Sequence, residues 1–194
     1  MKRVLNVGGG SKSIPIPAHY EGWEHVLLDI DARQKADVVC DARNLLSLPA
    51  DLYDAVYCSH NLEHYYRHEV QRVLGGFAHV LRARGFAEIE VPDIMAVFAA
   101  VSQNGLELDA ELYESDSGPV SPNDVIYGFG KQIAASGNDY YAHKNAFTKR
   151  SLSEALRAAG FGWVFLAPRP FAIRALAFRQ APTGEQRALL RLPS

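Results

Sequence analysis

The chain has 194 residues, 48% of them hydrophobic, the size of one ordinary α/β domain with enough apolar mass for a full core. Its 20 basic and 22 acidic side chains are spread along the sequence and leave a formal charge of −2, so nothing marks an electrostatic footprint for nucleic acid or a membrane surface. Two cysteines make no disulfide framework, and no run approaches the roughly 18 apolar residues of a membrane span.

The opening "MKRVLNVGGG" has an apolar run broken at Asn6, too short for a secretory leader, and a cytoplasmic location is the expectation. Arg3–Gly8 reads as a buried strand ending in glycines, and Glu24–Ile30, Ala36–Asp41, Tyr53–Ser59 and Gly85–Pro92 read as four more. They are rich in Val, Ile and Leu without strict alternation, as strands covered on both faces should be. The link "GGGSKSIPIPAHYEGW" holds Pro15 and Pro17 and little helical periodicity, so a full crossover helix is not expected there.

Between the fourth and fifth strands, Val70, Val73, Leu74, Phe77, Val80 and Leu81 recur at helical spacing, with Gly75 and Gly76 as weak points and Gly85 as a stop. A second helix is predicted in "TKRSLSEALRAAG", capped by Thr148 or Ser151 and ended by Gly160. "GWVFLAP" and "FAIRALAFR" read as two final strands. Alternating strands and helices imply a doubly wound, mostly parallel seven-stranded sheet in an α/β/α three-layer architecture. The domain is expected over residues 1–180, with an irregular lid or acceptor insertion near 93–147, and with 181–194 as a tail or short surface helix.

Chemistry concentrates at the strand ends. Gly8, Gly9 and Gly10 follow the first strand, where ligands bind in a doubly wound sheet. The third glycine of a dinucleotide fingerprint is absent, because Ser13 stands there, and the order Gly10-Ser11-Lys12-Ser13 fails the P-loop pattern. Asp29 ends the second strand, with Asp31 two residues on; either carboxylate suits a pair of ribose hydroxyls. Asp41 ends the third strand, placed to accept from an exocyclic adenine amine. The stretch "SHNLEH" gives His60, Glu63 and His64 the H-x-x-E-H spacing of some zinc peptidases. Such a site needs a regular helix and a distant third ligand, whereas an apolar strand runs up to Ser59. No metal ligands are expected here.

"VLNVGGGSKS", "LLDID", "ADVVCDARNL-SLP", "YDAVYCSHNLEHY", "VLRARGFAEIEVPD" and "HKNAFTKRSLSEALRAAGF" together resemble a class I S-adenosylmethionine-dependent methyltransferase, over roughly residues 3–180. The resemblance implies S-adenosyl-L-methionine as cofactor. It maps the methionine part onto Gly8 and Gly10, ribose onto Asp29, adenine onto Asp41 and Ala42, and the sulfonium side onto Ser59 and His60. Glu63 and His64 are then structural. The family often has Asp at Asn6, Cys or Ser at Gly9, and a fuller glycine turn before the fifth strand. His60, His143 and Tyr140 are available as proton acceptors for a small-molecule or sugar acceptor. Two other classes fit less well: a cofactor-binding partner protein without catalysis, and a nicotinamide oxidoreductase, which the missing third glycine and the lack of a Tyr-x-x-x-Lys pair disfavour.

Overall fold

In the computed structural model, which describes residues 1–115 and 118–193, the apolar runs form strands β1 (Arg3–Val7), β2 (Glu24–Asp29), β3 (Val38–Val39), β4 (Tyr53–Ser59) and β5 (Leu81–Pro92). A small hairpin, β6 (Tyr113–Ser115) and β7 (Gly118–Val120), stands apart, and β8 (Trp163–Arg169) and β9 (Ala172–Phe178) close the main sheet. That sheet has seven strands in the order β3-β2-β1-β4-β5-β9-β8. β1 to β5 pair in parallel, while β9 runs antiparallel to both β5 and β8. The order reverses between β1 and β4, so a crevice opens there, at the carboxyl ends of the parallel strands.

Alternation along each strand assigns its side chains to two faces. Leu5, Val7, Val56, Ala87, Ile89, Ile173 and Ala175 join helices α1 (Val70–Val80) and, later in the chain, Lys149–Ala158 in the main core. Val73, Leu74 and Phe77 of α1 and Leu152 and Leu156 of the later helix are fully buried there. The glycine pair of α1 divides its roles. Gly75 faces open space, whereas a Cβ on Gly76 would lie 2.6 Å from Cβ of Leu45, in the 3-10 stretch Ala42–Ser47. The close approach is therefore to that stretch rather than to the sheet.

The other face carries Val4, Ala55, Phe86, Leu176 and Phe178, covered by Tyr20 and Leu190. Its cover is thin. Between β1 and β2 the chain forms one 3-10 turn, Ala18–Tyr20, and the remaining cover comes from the C-terminal helix Gly184–Leu190. Polar side chains of this face are paired internally: Glu88, 2% exposed, accepts from Tyr20 Oη at 2.8 Å, His19 Nε2 at 2.7 Å and Arg174 Nε at 2.6 Å.

The described residues between β5 and Phe147 hold more regular structure than their composition implies. They form α2 (Ile94–Asn104), the β6–β7 hairpin, α3 (Pro122–Tyr127) and α4 (Gly130–Ser136). Asp93 caps α2 by accepting from Met95 N, and Gly105 ends it in a left-handed conformation. Val97, Val120 and Val125 form a small core of their own. The segment's two ends are joined by a parallel bridge between Asp93 and Phe147. The helix Lys149–Ala158, here α5, follows with Thr148 as its cap and Ser151 completing a capping box, and the C-terminal helix is α6. Among the described residues no helix is long and apolar enough to cross a membrane.

Candidate active site

A cavity of about 440 Å³ opens at the crevice between β1 and β4, lined by the loop after β1, the end of β2, the turn after β4 and residues of the 93–147 segment. Gly8 and Gly10 have φ of +70° and +65°, a conformation that favours glycine. A Cβ on Gly8 would lie 2.1 Å from Nδ2 of Asn61, and one on Gly9 would lie 2.2 Å from Nδ2 of Asn6. The loop thus lies flat against its supports. Asn6 is buried beneath it and donates its amide to Nε2 of His25 at 3.1 Å, and burial lowers the pKa of that imidazole. An aspartate at position 6 would lack this donor, and a side chain at position 9 would displace Asn6. The two departures from the usual pattern are therefore coupled.

Asp29 is 8% exposed, and its carboxylate accepts from Gly10 N at 3.3 Å and from Asp31 N at 2.9 Å. Both aspartates line the cavity, but the carboxylate of Asp31 is engaged by the backbone and guanidinium of Arg33. A carboxylate keeps further lone pairs when two are used, so Asp29 retains acceptor capacity toward the cavity. Asp41 does not line this cavity. It borders an adjoining one of about 240 Å³ that shares Ile30, Asn61, His64, Tyr65 and Tyr140 with the first. Burial would raise the Asp41 pKa, but its bonds to Arg43 outweigh this and hold it low.

His60 also has positive φ, +47°, in the turn after β4. Its ring lies between two carboxylates, with Nδ1 3.5 Å from Glu63 and Nε2 3.6 Å from Glu90. The enclosing walls cost the imidazolium some solvation, but the two carboxylates prevail and raise its pKa to about 10. A ring held as a cation at neutral pH has no lone pair to take a proton, which argues against His60 as the base. Ser59 and Ala42 line none of these cavities. Ala42 is buried in the main core. Asn61 and Tyr65 line both cavities and Cys40 the larger one, and none was singled out from sequence. Asn61 sits inside "SHNLEH", where its support of Gly8 leaves no periodic signal.

The turn Leu62–His64 is a single 3-10 turn. The carbonyl of Glu63 accepts from the amides of Lys144 at 2.8 Å and Asn145 at 3.1 Å, stitching "HKNAF" onto "SHNLEH". His143 is thereby brought into the cavity wall. Its Nδ1 is 2.7 Å from the carbonyl of Val125. A carbonyl only accepts, so Nδ1 carries the proton and Nε2 presents a lone pair. Burial lowers the His143 pKa despite the opposing influence of Glu63, which favours the neutral ring. Tyr140 lines the cavity but is 43% exposed at its mouth.

A further cavity of about 460 Å³ lies beside the first, lined by Glu90, Tyr113, Val120, Phe171 and neighbours. The two share His60, Phe129, Gln132 and His143. The site is therefore two chambers with a common wall built from the β4 turn, α4 and His143.

A family model described as a methyltransferase domain matches residues 1–164. No protein of curated function shows significant sequence similarity to the chain. Among solved structures, an S-adenosylmethionine-dependent methyltransferase from Archaeoglobus fulgidus superposes with a TM-score of 0.57 at 18% identity, covering 91% of this chain and 85% of that one. The PH0226 protein from Pyrococcus horikoshii OT3 gives 0.59 at 14% identity, covering 92% and 82%. A Burkholderia thailandensis 1,6-didemethyltoxoflavin-N1-methyltransferase, solved with 1,6-didemethyltoxoflavin and S-adenosylhomocysteine, gives 0.52 at 17% identity, covering 91% and 70%.

Proposed function

Because the chain belongs to the methyltransferase-domain family, we propose that it holds S-adenosyl-L-methionine in the glycine-lined chamber and methylates an acceptor in the chamber beside it. The observation that carries this reading is the wall shared by the two chambers, because a two-substrate transfer needs donor and acceptor in contact across one short boundary. The cofactor supplies an electrophilic methyl carbon on a sulfonium. The chain's residues hold, orient and exclude water. Gly8 and Gly10 admit the methionine part closely, and Asp29 accepts from the ribose hydroxyls. Adenine extends toward Asp41 along Ile30 and Tyr65. At the wall, Phe129, the residue before α4, and Gln132 within it cover the reacting end, and His143 borders it. The acceptor's lone pair forms the new bond to the methyl carbon as the sulfur–carbon bond breaks. A hydroxyl acceptor also gives up its proton. The chamber's size suits a small molecule or a single sugar unit.

An oxidoreductase reading fares worse. A dinucleotide pyrophosphate is held at the N-terminus of the helix after β1, and the chain has only the turn Ala18–Tyr20 in that connection. Calorimetric titration tests the proposal. S-adenosylhomocysteine should bind and NAD should not. Asp29→Ala should weaken S-adenosylhomocysteine by about 10- to 150-fold, as expected for hydrogen bonds to a charged group worth roughly 1.5–3 kcal/mol. Equal binding of both ligands, or unchanged affinity in the variant, would refute the assignment. Transfer of a labelled methyl group to a panel of hydroxylated small molecules and sugars then separates an enzyme from a cofactor-binding partner protein.

A further inference from the structure

Glu63 is 1% exposed, and neither of its carboxylate oxygens has a hydrogen-bond partner among the described residues. An ionised carboxylate left so costs several kcal/mol unless something charged compensates it. Three imidazoles surround it. Oε1 is 3.5 Å from Nδ1 of His60 and 3.9 Å from Nε2 of His143, and the His64 ring centroid lies 5.0 Å from that of His143. Glu63, His64 and His143 each offer one ligand atom, all within 4.8 Å of one another. Metal bonds to such donors are about 2.0–2.2 Å long, so ligand pairs sit within about 4 Å, and closing the cluster needs shifts of about 1 Å or less.

We propose that Glu63, His64 and His143 form a binding site for a divalent transition-metal ion at the wall between the two chambers. The arrangement of outer bonds supports this. A metal-binding histidine characteristically donates its other ring N–H to a backbone carbonyl, which fixes tautomer and orientation. His143 does so through Nδ1 to Val125, leaving Nε2 free toward Glu63. His64 has a carbonyl at 3.1 Å from each nitrogen, Ala142 on Nδ1 and His60 on Nε2. A neutral ring donates to only one of them, so binding draws the other nitrogen off its carbonyl while the first stays anchored. Two imidazoles and one carboxylate suit zinc, cobalt or manganese better than magnesium, which prefers oxygen ligands. Three protein ligands also leave coordination positions open for a substrate oxygen. The expectation of no metal ligands assumed that H-x-x-E-H must lie on a regular helix. Here a 3-10 turn presents Glu63 and His64, and the distant third ligand is His143.

One consequence rests on the methyltransferase reading: His143 lines both chambers, so an ion held here borders the acceptor. Bound to the acceptor's hydroxyl oxygen, it lowers that group's pKa. The O–H proton leaves to solvent, an oxygen lone pair forms the C–O bond, and the S–C electron pair stays on sulfur as the sulfonium becomes a thioether.

The test is zinc chloride and cobalt chloride titrated calorimetrically into tag-free, chelator-treated full-length protein, with cobalt followed also by its visible absorption. One ion per chain should bind. Glu63→Gln and His143→Ala should each weaken it by about 100-fold or more, since loss of an outer partner alone costs about 10- to 100-fold. His68→Ala, an exposed histidine in the same stretch, should leave affinity unchanged. Circular dichroism and S-adenosylhomocysteine titration on the same samples check folding and the cofactor chamber. If Glu63→Gln does not fold, His143→Ala decides. Absent or millimolar binding would overturn the site and leave Glu63 as the partner of the His60 imidazolium only, as would equal binding by wild type and His143→Ala. Lost S-adenosylhomocysteine binding with zinc retained would instead sink the cofactor assignment and spare the metal site.

Discussion

Glu88 is the residue on which the thinly covered face of the sheet depends. Burial alone would raise its pKa, but the bond from His19 and the nearby Arg174 guanidinium outweigh this and hold it below the ordinary carboxylate range. With a folded value below the unfolded one, its contribution to stability is fully present above the unfolded pKa of about 4.3. It is lost as pH falls through the depressed folded value. Glu88→Gln keeps the shape but leaves Arg174 without its counter-charge, and a loss of about 3–5 kcal/mol is expected at neutral pH. Urea unfolding at a series of pH values should show this loss shrinking toward the acid end. A loss that stays constant down to the acid limit would mean that shape, not charge, governs the site.

Among the elements, α1 shows how packing can reverse the sign of one substitution at adjacent positions. Gly75→Ala adds a methyl in open space and should stabilise by up to about 1 kcal/mol through helix propensity. Gly76→Ala gains the same propensity but drives a methyl into Leu45, and overpacking costs about 1–3 kcal/mol, so the net is destabilising by up to about 2 kcal/mol. Thermal unfolding of the two variants should move in opposite directions. Sequence alone marked both glycines as weak points and could not distinguish them, because the contact comes from a stretch some thirty positions earlier. The same limit applies elsewhere. β4 and the cap of α5 were legible because run and cap are local signals. β5 begins at Leu81, not Gly85, because its pairing with β4 shifts register between Tyr53 and Ala55. α2 escaped notice because its apolar residues continue directly from the strand before it. In the site, Asp29 and the glycine loop are legible at strand ends, being placed by topology, and they line the cavity, whereas Asp41 borders the adjoining one. Ser59, expected at the sulfonium side, lines none of the cavities. The convergence of His143 on Glu63 and His64 depends on two backbone hydrogen bonds that no local pattern encodes.

For the molecule as a whole, the described residues of the 93–147 segment line both chambers, with Phe129, Gln132, Tyr140 and His143 at the first and Tyr113, Val120 and Val125 at the other, and we read the segment as a cover. A cover that closes on its ligand loses access to proteases when occupied. Limited trypsin digestion should cut the free protein at exposed Lys131 in α4, and saturating S-adenosylhomocysteine should slow that cut several-fold. Equal cutting rates with and without ligand would show that α4 does not respond to the cofactor chamber.

The parallel bridge between Asp93 and Phe147 has a bearing on segment exchange. A chain that leaves a sheet and returns beside its own point of departure can be lengthened, shortened or exchanged without moving the strands on either side. The Gly8 loop and Asp29 lie outside that segment, and most of the wall around the second chamber lies within it. Exchange of that segment would therefore reshape the second chamber most, while leaving the Gly8 loop and Asp29 in place.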